Sequence, residues 1–331
     1  MDRERFAKYI QENLGEKYIE IATARIDHFE NYLKSIGKSL PTLDNKDILK
    51  YTRQLGMSND QLFGVYNILY NFGLFAKNGE ILVGCMLVYD GSEILQNLYE
   101  RLEKEFGCEL RDTIFDGIEL PPIDLDQKLK PQYMKKIVPR LLDQLGQKKT
   151  EDFLAIGLHD RYEQLRQPDR TLFLDCTTLE EFLERRYENL INDMKKHRDE
   201  GTPWFVSYID DEILDFYAQN PDLYRGHIEN NTIVIKKGPY DTKGFINATT
   251  REEKRRSICH CPFVRESLIE AAQPIDPVFC NCSAGFEKAY WEIIFATSPI
   301  QVEVKASILR GDDFCEFAVH IPEAIMHSHY I

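Results

Sequence analysis

FCNCSAGFEKAYWEIIFATSPIQVEVKASILRGDDFCEFAVHIP, residues 279–322, carries the pattern that sets the fold class. Ser283 directly follows Cys282 and suits an N-cap, so a helix is predicted from there through Phe295. Strands follow over 300–309, where Val and Glu alternate, and over 314–320, with Gly311-Asp312-Asp313 as the turn. A helix followed by a strand pair places this region in the α+β class.

Working upstream, Asn230-Asn231 marks a hairpin between strands 224–229 and 232–237. A helix is predicted over 210–220, with Ile213, Leu214 and Phe216 among its apolar residues. Further helices are predicted over 132–146, 150–158 and 178–200; the last has the stripe Leu179, Phe182, Leu183, Tyr187 and Leu190. Residues 92–106 are amphipathic, with Leu95, Leu98, Leu102 and Phe106 on one face. The apolar run 81–89 (ILVGCMLVY) and the segment 111–120 read as strands on either side of that helix. Residues 1–75 read as helical, from Phe6, Tyr9 and Ile10 and then Ile26, Phe29, Leu33 and Ile36. The expected organisation is a helical module (1–75), a small α/β unit (76–125), a helical connector (126–200) and an α+β cysteine-motif domain (201–331). The fold class is therefore helix-rich α+β.

The chemistry concentrates in the last third. Cys259-His260-Cys261-Pro262, Cys280-Asn281-Cys282 and Cys315 hold five of the eight cysteines. Two cysteines two apart on extended chain project to one side, and two such pairs supply four soft ligands. That donor type suits tetrahedral zinc or an iron–sulfur cluster. A reactive thiol and plain core packing remain open beside metal binding. Pro262 suits the first turn of a helix over 263–272, and free amides at the two helix starts favour a thiolate or anion nearby. Cys85, Cys108 and Cys176 are scattered and read as small buried apolar residues.

Other candidates are weaker. His159 with the adjacent Asp160 is a candidate general base, as are Glu287 and Glu292 for proton transfer. Arg265 and Arg256 are candidates for gripping an anionic ligand, with Ser283 at the helix start. Lys254 and Arg255 extend the basic run, which otherwise reads as solvated. His327 and His329 read as an unstructured tail. The formal charge of −14 disfavours nucleic-acid binding. There is no apolar leader, and the longest apolar run has nine residues against the ~20 of a membrane span, so a cytoplasmic protein is expected. No Walker, dinucleotide-binding, kinase or G-x-S-x-G motif is present.

The order CHCPFVRES (259–267), FCNCSAGFEKAYWEIIF (279–295) and VEVKASILRGDDFCEFAV (302–319) resembles an uncharacterised bacterial and archaeal family with CHCP and CxCSxG motifs. The resemblance extends over about 150–331. More distantly, the ending is similar to vinyl-4-reductase type ligand-binding domains and to L-2-amino-thiazoline-4-carboxylic acid hydrolases. The first likeness implies a vinyl-4-reductase-like α+β domain binding a small organic ligand, with zinc at Cys280 or Cys282, Glu303 and Cys315. Ser307 stands where those domains have a further cysteine. The second implies metal-assisted hydrolysis of a small C–N or C–S substrate. Residues 1–75 resemble the core-binding module of phage-type integrases, but no recombinase domain follows, so DNA cutting is not expected. A homodimer is left open.

Overall fold

The apolar run 81–89 is a helix rather than a strand. The computed structural model, which describes residues 2–161, 163–269 and 274–328, places the run in α5 (Gly79–Tyr89). This helix belongs to the first of two compact units, which comprises Met1–Ser92, Pro121–Leu125 and Lys196–Ile209. The unit also contains α1 (Arg3–Asn13), α2 (Ile19–Ser35), α3 (Asn45–Arg53) and α4 (Asn59–Ala76). Its two short strands, β1 (Pro203–Trp204) and β2 (Ser207–Tyr208), pair antiparallel. The Asn78 side chain caps α5 by accepting from the Ile81 amide. Ile81, Leu82, Val83, Gly84, Cys85 and Val88 are all buried, against α3 and α4 among others. A helix covered on several sides loses its polar stripe, so its sequence reads like a buried strand. Gly84 is where α3 comes closest: a Cβ there would lie 2.6 Å from Ile48 Cγ1 and 2.8 Å from the Asn45 carbonyl.

The second unit comprises Glu93–Leu120, Asp126–Lys195 and Asp210–Ile331. Here α6 (Ile94–Phe106) buries Leu95, Leu98 and Leu102, as its stripe predicts. The segment 111–120 is not a strand: α7 (Cys108–Phe115) occupies its first half. Leu110 and Ile114, four apart, both pack into the core beside α6, a helical spacing that a window starting at residue 111 cuts through. The expected α/β unit over 76–125 therefore contains no strand among the described residues. Both helices predicted for 132–158 merge into α8 (Pro131–Leu154), broken at Gly146, whose φ is 75°. Then come α9 (Glu163–Asp175), α10 (Leu179–Glu200), which ends in the first unit, and α11 (Asp211–Gln219).

The sheet has four antiparallel strands: β3 (His227–Glu229), β4 (Thr232–Lys236), β5 (Val302–Ala306) and β6 (Glu316–His320), in the order β3-β4-β6-β5. Asn230 and Asn231 take φ of 48° and 60°, the left-handed pair that a tight hairpin turn requires. Between β4 and the end of the sheet lie α12 (Thr242–Asn247), α13 (Arg251–Ile258), α14 (Pro262–Arg265) and α15 (Asn281–Phe295); α16 (Glu323–Ser328) follows β6. Ile233, Ile235 and Val319 from the sheet bury against Trp291, Ile294 and Phe295 of α15. The α+β class thus holds, with helix packed on sheet. No described helix is long and apolar enough to cross a membrane.

Two local expectations change. Only Pro262–Arg265 of the predicted 263–272 helix is α-helical; a tighter turn, Glu266–Ile269, follows, and the remainder lies outside the described residues. Ser283 is not an N-cap. A 3₁₀ turn over Pro277–Cys280 runs straight into α15, so the cap position falls on Cys280. His329 and the side chain of His327 lie outside the described residues.

Candidate functional site

The link between α13 and α14 is three residues long, Cys259-His260-Cys261. Pro262 sits at the first position of α14, where its fixed φ suits the turn. Cys259 and Cys261 are extended, with ψ of 116° and 114°. Cys280 comes from the turn before α15, and Cys315 immediately precedes β6. Cys259, His260, Cys261, Cys280 and Cys315 line a single cavity of about 20 Å³, together with Lys237 and Ser283. That volume admits about one water or a single ion, not an organic molecule.

The thiols feel one another. Burial pushes Cys259 up, and Cys315 and Cys280 add to the shift. Burial likewise pushes Cys261 well above the ordinary thiol value, with Cys259 and Cys282 contributing. Cys280 rises to about 12 through burial and Cys315. Cys315 is raised by burial. Burial and the neighbouring cysteines disfavour the thiolate form, so the four thiols facing this small cavity stay protonated, a preference that a soft cation would reverse by taking the thiolates as ligands. Among the described residues, no three Cys, His, Asp or Glu side chains already close around an ion. Binding would have to draw the thiols inward.

Cys282 faces another partner. His159 lies close enough to Cys282 for the thiol to raise its pKa, while His159 Nδ1 lies 2.9 Å from Glu93 Oε1. Phe286, one turn after Cys282 on the same face of α15, meets the His159 ring edge-on at 5.1 Å. Glycine makes this approach possible. A Cβ on Gly285 would lie 2.6 Å from both Cα and N of Gly157, and Gly157 itself has φ of 98°. The SAG of the cysteine motif therefore lets the 155–159 segment lie on α15 and bring His159 to Cys282.

Burial alone would lower the His159 pKa, but hydrogen bonds to Cys282 and Glu93 outweigh it and raise it from 6.5 to about 10. Its folded value exceeds its unfolded one, so the contribution to stability is complete below 6.5 and is lost as pH rises through about 10. Denaturation midpoints measured from pH 6 to 10 should fall for the wild type and stay flatter for His159→Gln. Parallel curves would show that His159 is uncoupled from folding.

The other candidates are occupied. Asp160 accepts from Asn97 Nδ2 at 3.1 Å and does not orient His159; Glu93 does. Glu287 pairs with Lys237 at 3.2 Å. Glu292 is buried and accepts from Arg161, Ser298 Oγ and the Ile300 amide, a brace for the turn into β5. Arg256 is bound to Glu266, and Arg265 is buried over the Tyr240 ring while donating to Gln127. Glu303 is exposed on β5 and paired with His320, away from the cavity. Ser307 is buried and contacts Cys280. Cys85 and Cys176 are buried as expected, but Cys108 is exposed at the start of α7. Sequence reasoning missed Glu93, which stands 66 residues from its partner and carries no local motif. No protein family, curated protein or solved structure matches the chain.

Proposed function

We propose that the second unit is a vinyl-4-reductase type α+β domain that holds a thiolate-bound metal, zinc before iron, at Cys259, Cys261, Cys280 and Cys315. The observation that carries this reading is the convergence of four buried thiols, from three separate chain segments, on one ion-sized cavity. In this reading the metal ties the α13–α14 link to the start of α15 and to β6. Protein purified without oxygen or an affinity tag should contain about one zinc per chain. Stoichiometric iron with absorption near ~400 nm would replace zinc by an iron–sulfur cluster and make the protein a redox carrier. A metal-free protein with all four thiols titrating would overturn the reading.

A second reading, hydrolysis of a small C–N or C–S substrate, is favoured by the chain of contacts from Glu93 through His159 to Cys282. His159 would move the proton, Glu93 would fix its ring, and Cys282 would present the reacting thiol. L-2-amino-thiazoline-4-carboxylate is the first substrate to test. Turnover that falls about 10²–10⁴-fold in His159→Gln would support the role, the range expected for a lost proton carrier. A wild-type protein with no turnover of this substrate would remove the support that the hydrolase likeness gives.

A further inference from the structure

One face of α9 meets α15 through a row of polar and ring contacts. Arg166, Asp169, Arg170 and Phe173, spaced three and four apart, all turn toward it. Asp169 accepts the Tyr290 hydroxyl at 2.8 Å, Arg170 donates to the Ile294 carbonyl, and Phe173 meets Phe295 edge-on at 5.4 Å. Arg166 lies over two rings one helical turn apart, 5.7 Å from Phe286 and 5.4 Å from Tyr290. Other cations that meet α15 are tied down. Arg161 pairs with Glu292, Lys237 pairs with Glu287, and Arg186 donates to the Tyr224 and Arg225 carbonyls. Arg166 differs from them. It is half-buried, and among the described residues no hydrogen bond or ion pair reaches its guanidinium. The two rings offset part of its charge but satisfy none of its five N–H donors.

The same Phe286 ring meets His159 edge-on at 5.1 Å, so Arg166 and His159 flank one side chain. We infer that Arg166 is a carboxylate anchor beside His159, gripping the acid group of a small organic ligand whose other end lies toward His159 and Cys282. Its role in turnover rests on the hydrolase reading. Charge sets the class of ligand. Arg166, Arg186 and Lys237 stand over the Phe286 and Tyr290 rings, and Asp169 and Glu287 are the carboxylates bonded to that group. His159 has Glu93 as its own partner. One positive charge is left over, which a singly charged carboxylate matches and a doubly charged phosphate exceeds. The planar guanidinium fork also suits a carboxylate, with two parallel N–H bonds. A ligand held by its acid end has its other end oriented, which is what a proton carrier alongside needs.

The test measures equilibrium binding to the full chain, with nitrogen-labelled arginine for nuclear magnetic resonance. The probes are L-2-amino-thiazoline-4-carboxylate, the same ring without its acid group, and inorganic phosphate. In the wild type the carboxylate should shift the Arg166 Nε–H signal. Its affinity should fall about 10–100-fold in Arg166→Gln, the loss expected of hydrogen bonds to a charged group. Arg166→Lys keeps the charge without the fork and should recover only part of that loss. The ring without its acid group should bind wild type and Arg166→Gln equally. Carboxylate binding that leaves the Arg166 signal unmoved would overturn the anchor and leave the hydrolase reading standing. Binding that depends on Arg166 without turnover would uphold the anchor and remove hydrolysis. Phosphate that binds more tightly than the carboxylate would overturn the class of ligand. A wild type that binds no carboxylate would overturn both anchor and hydrolase. The Arg166 signal is read in unmodified protein, so a variant that fails to fold does not blunt the result.

Discussion

Gly285→Ala is expected to destabilise the second unit and to separate His159 from Cys282. The added methyl would lie 2.6 Å from two backbone atoms of Gly157 and 3.1 Å from the Ala155 carbonyl. Backbone cannot rotate out of the way, so the 155–159 segment and α15 must move apart. Overpacking of this kind costs about 1–3 kcal/mol, occasionally more. Alanine returns up to about 1 kcal/mol of helix propensity, so the loss should sit toward the upper end of a net ~2 kcal/mol. For a unit of this size that corresponds to a fall in Tm of roughly 4–8 °C. The more specific readout is the alkaline titration. His159 in the variant should lose its raised pKa, because the hydrogen bonds that raise it depend on the close approach. Unchanged Tm together with an unchanged His159 titration would show that the two glycines are incidental.

Cys259→Ser is the second variant with a large expected effect. Serine is a poor ligand for a soft metal, and Cys259 is buried at the centre of the thiol group. A metal held a thousandfold above its dissociation constant stabilises the folded state by about 4 kcal/mol. Losing it should lower Tm by roughly 8–16 °C. Serine in a dry site also costs about 1–3 kcal/mol without any metal, so the fall in Tm alone is ambiguous. Chelation resolves this: wild type and variant should converge to within that smaller difference once metal is removed. A gap that is the same with and without chelator would assign the whole effect to packing.

Periodicity made much of the fold legible. The stripe of α6, the stripe of α10 and the turn at Asn230-Asn231 were each readable because their apolar spacing or turn chemistry agrees with what they pack against. Residues 81–89 defeated the same method, since a helix buried on several sides shows no period. The segment 111–120 failed because its apolar pair begins one residue earlier, at Leu110. The site divides in the same way. Cys259, Cys261 and Cys280 sit in short motifs that announce a soft-ligand cluster, and Cys315 joins them through the strand that follows it. Glu93 and His159 meet Cys282 only through tertiary packing, so neither their distance along the chain nor their residue types pointed to it.

The contact between Gly157 and Gly285 also bears on how this chain can drift. Each glycine occupies the space that a side chain on the other would need. A larger residue at either place closes the gap for both, and enlarging the second cannot compensate for the first. Tolerated substitutions at the pair are therefore not exchangeable, as they are between a large and a small core residue that can trade volume. Among descendants of this sequence the two glycines should persist or be lost together, and a chain that has lost them should also have released the histidine at 159 from its present constraint.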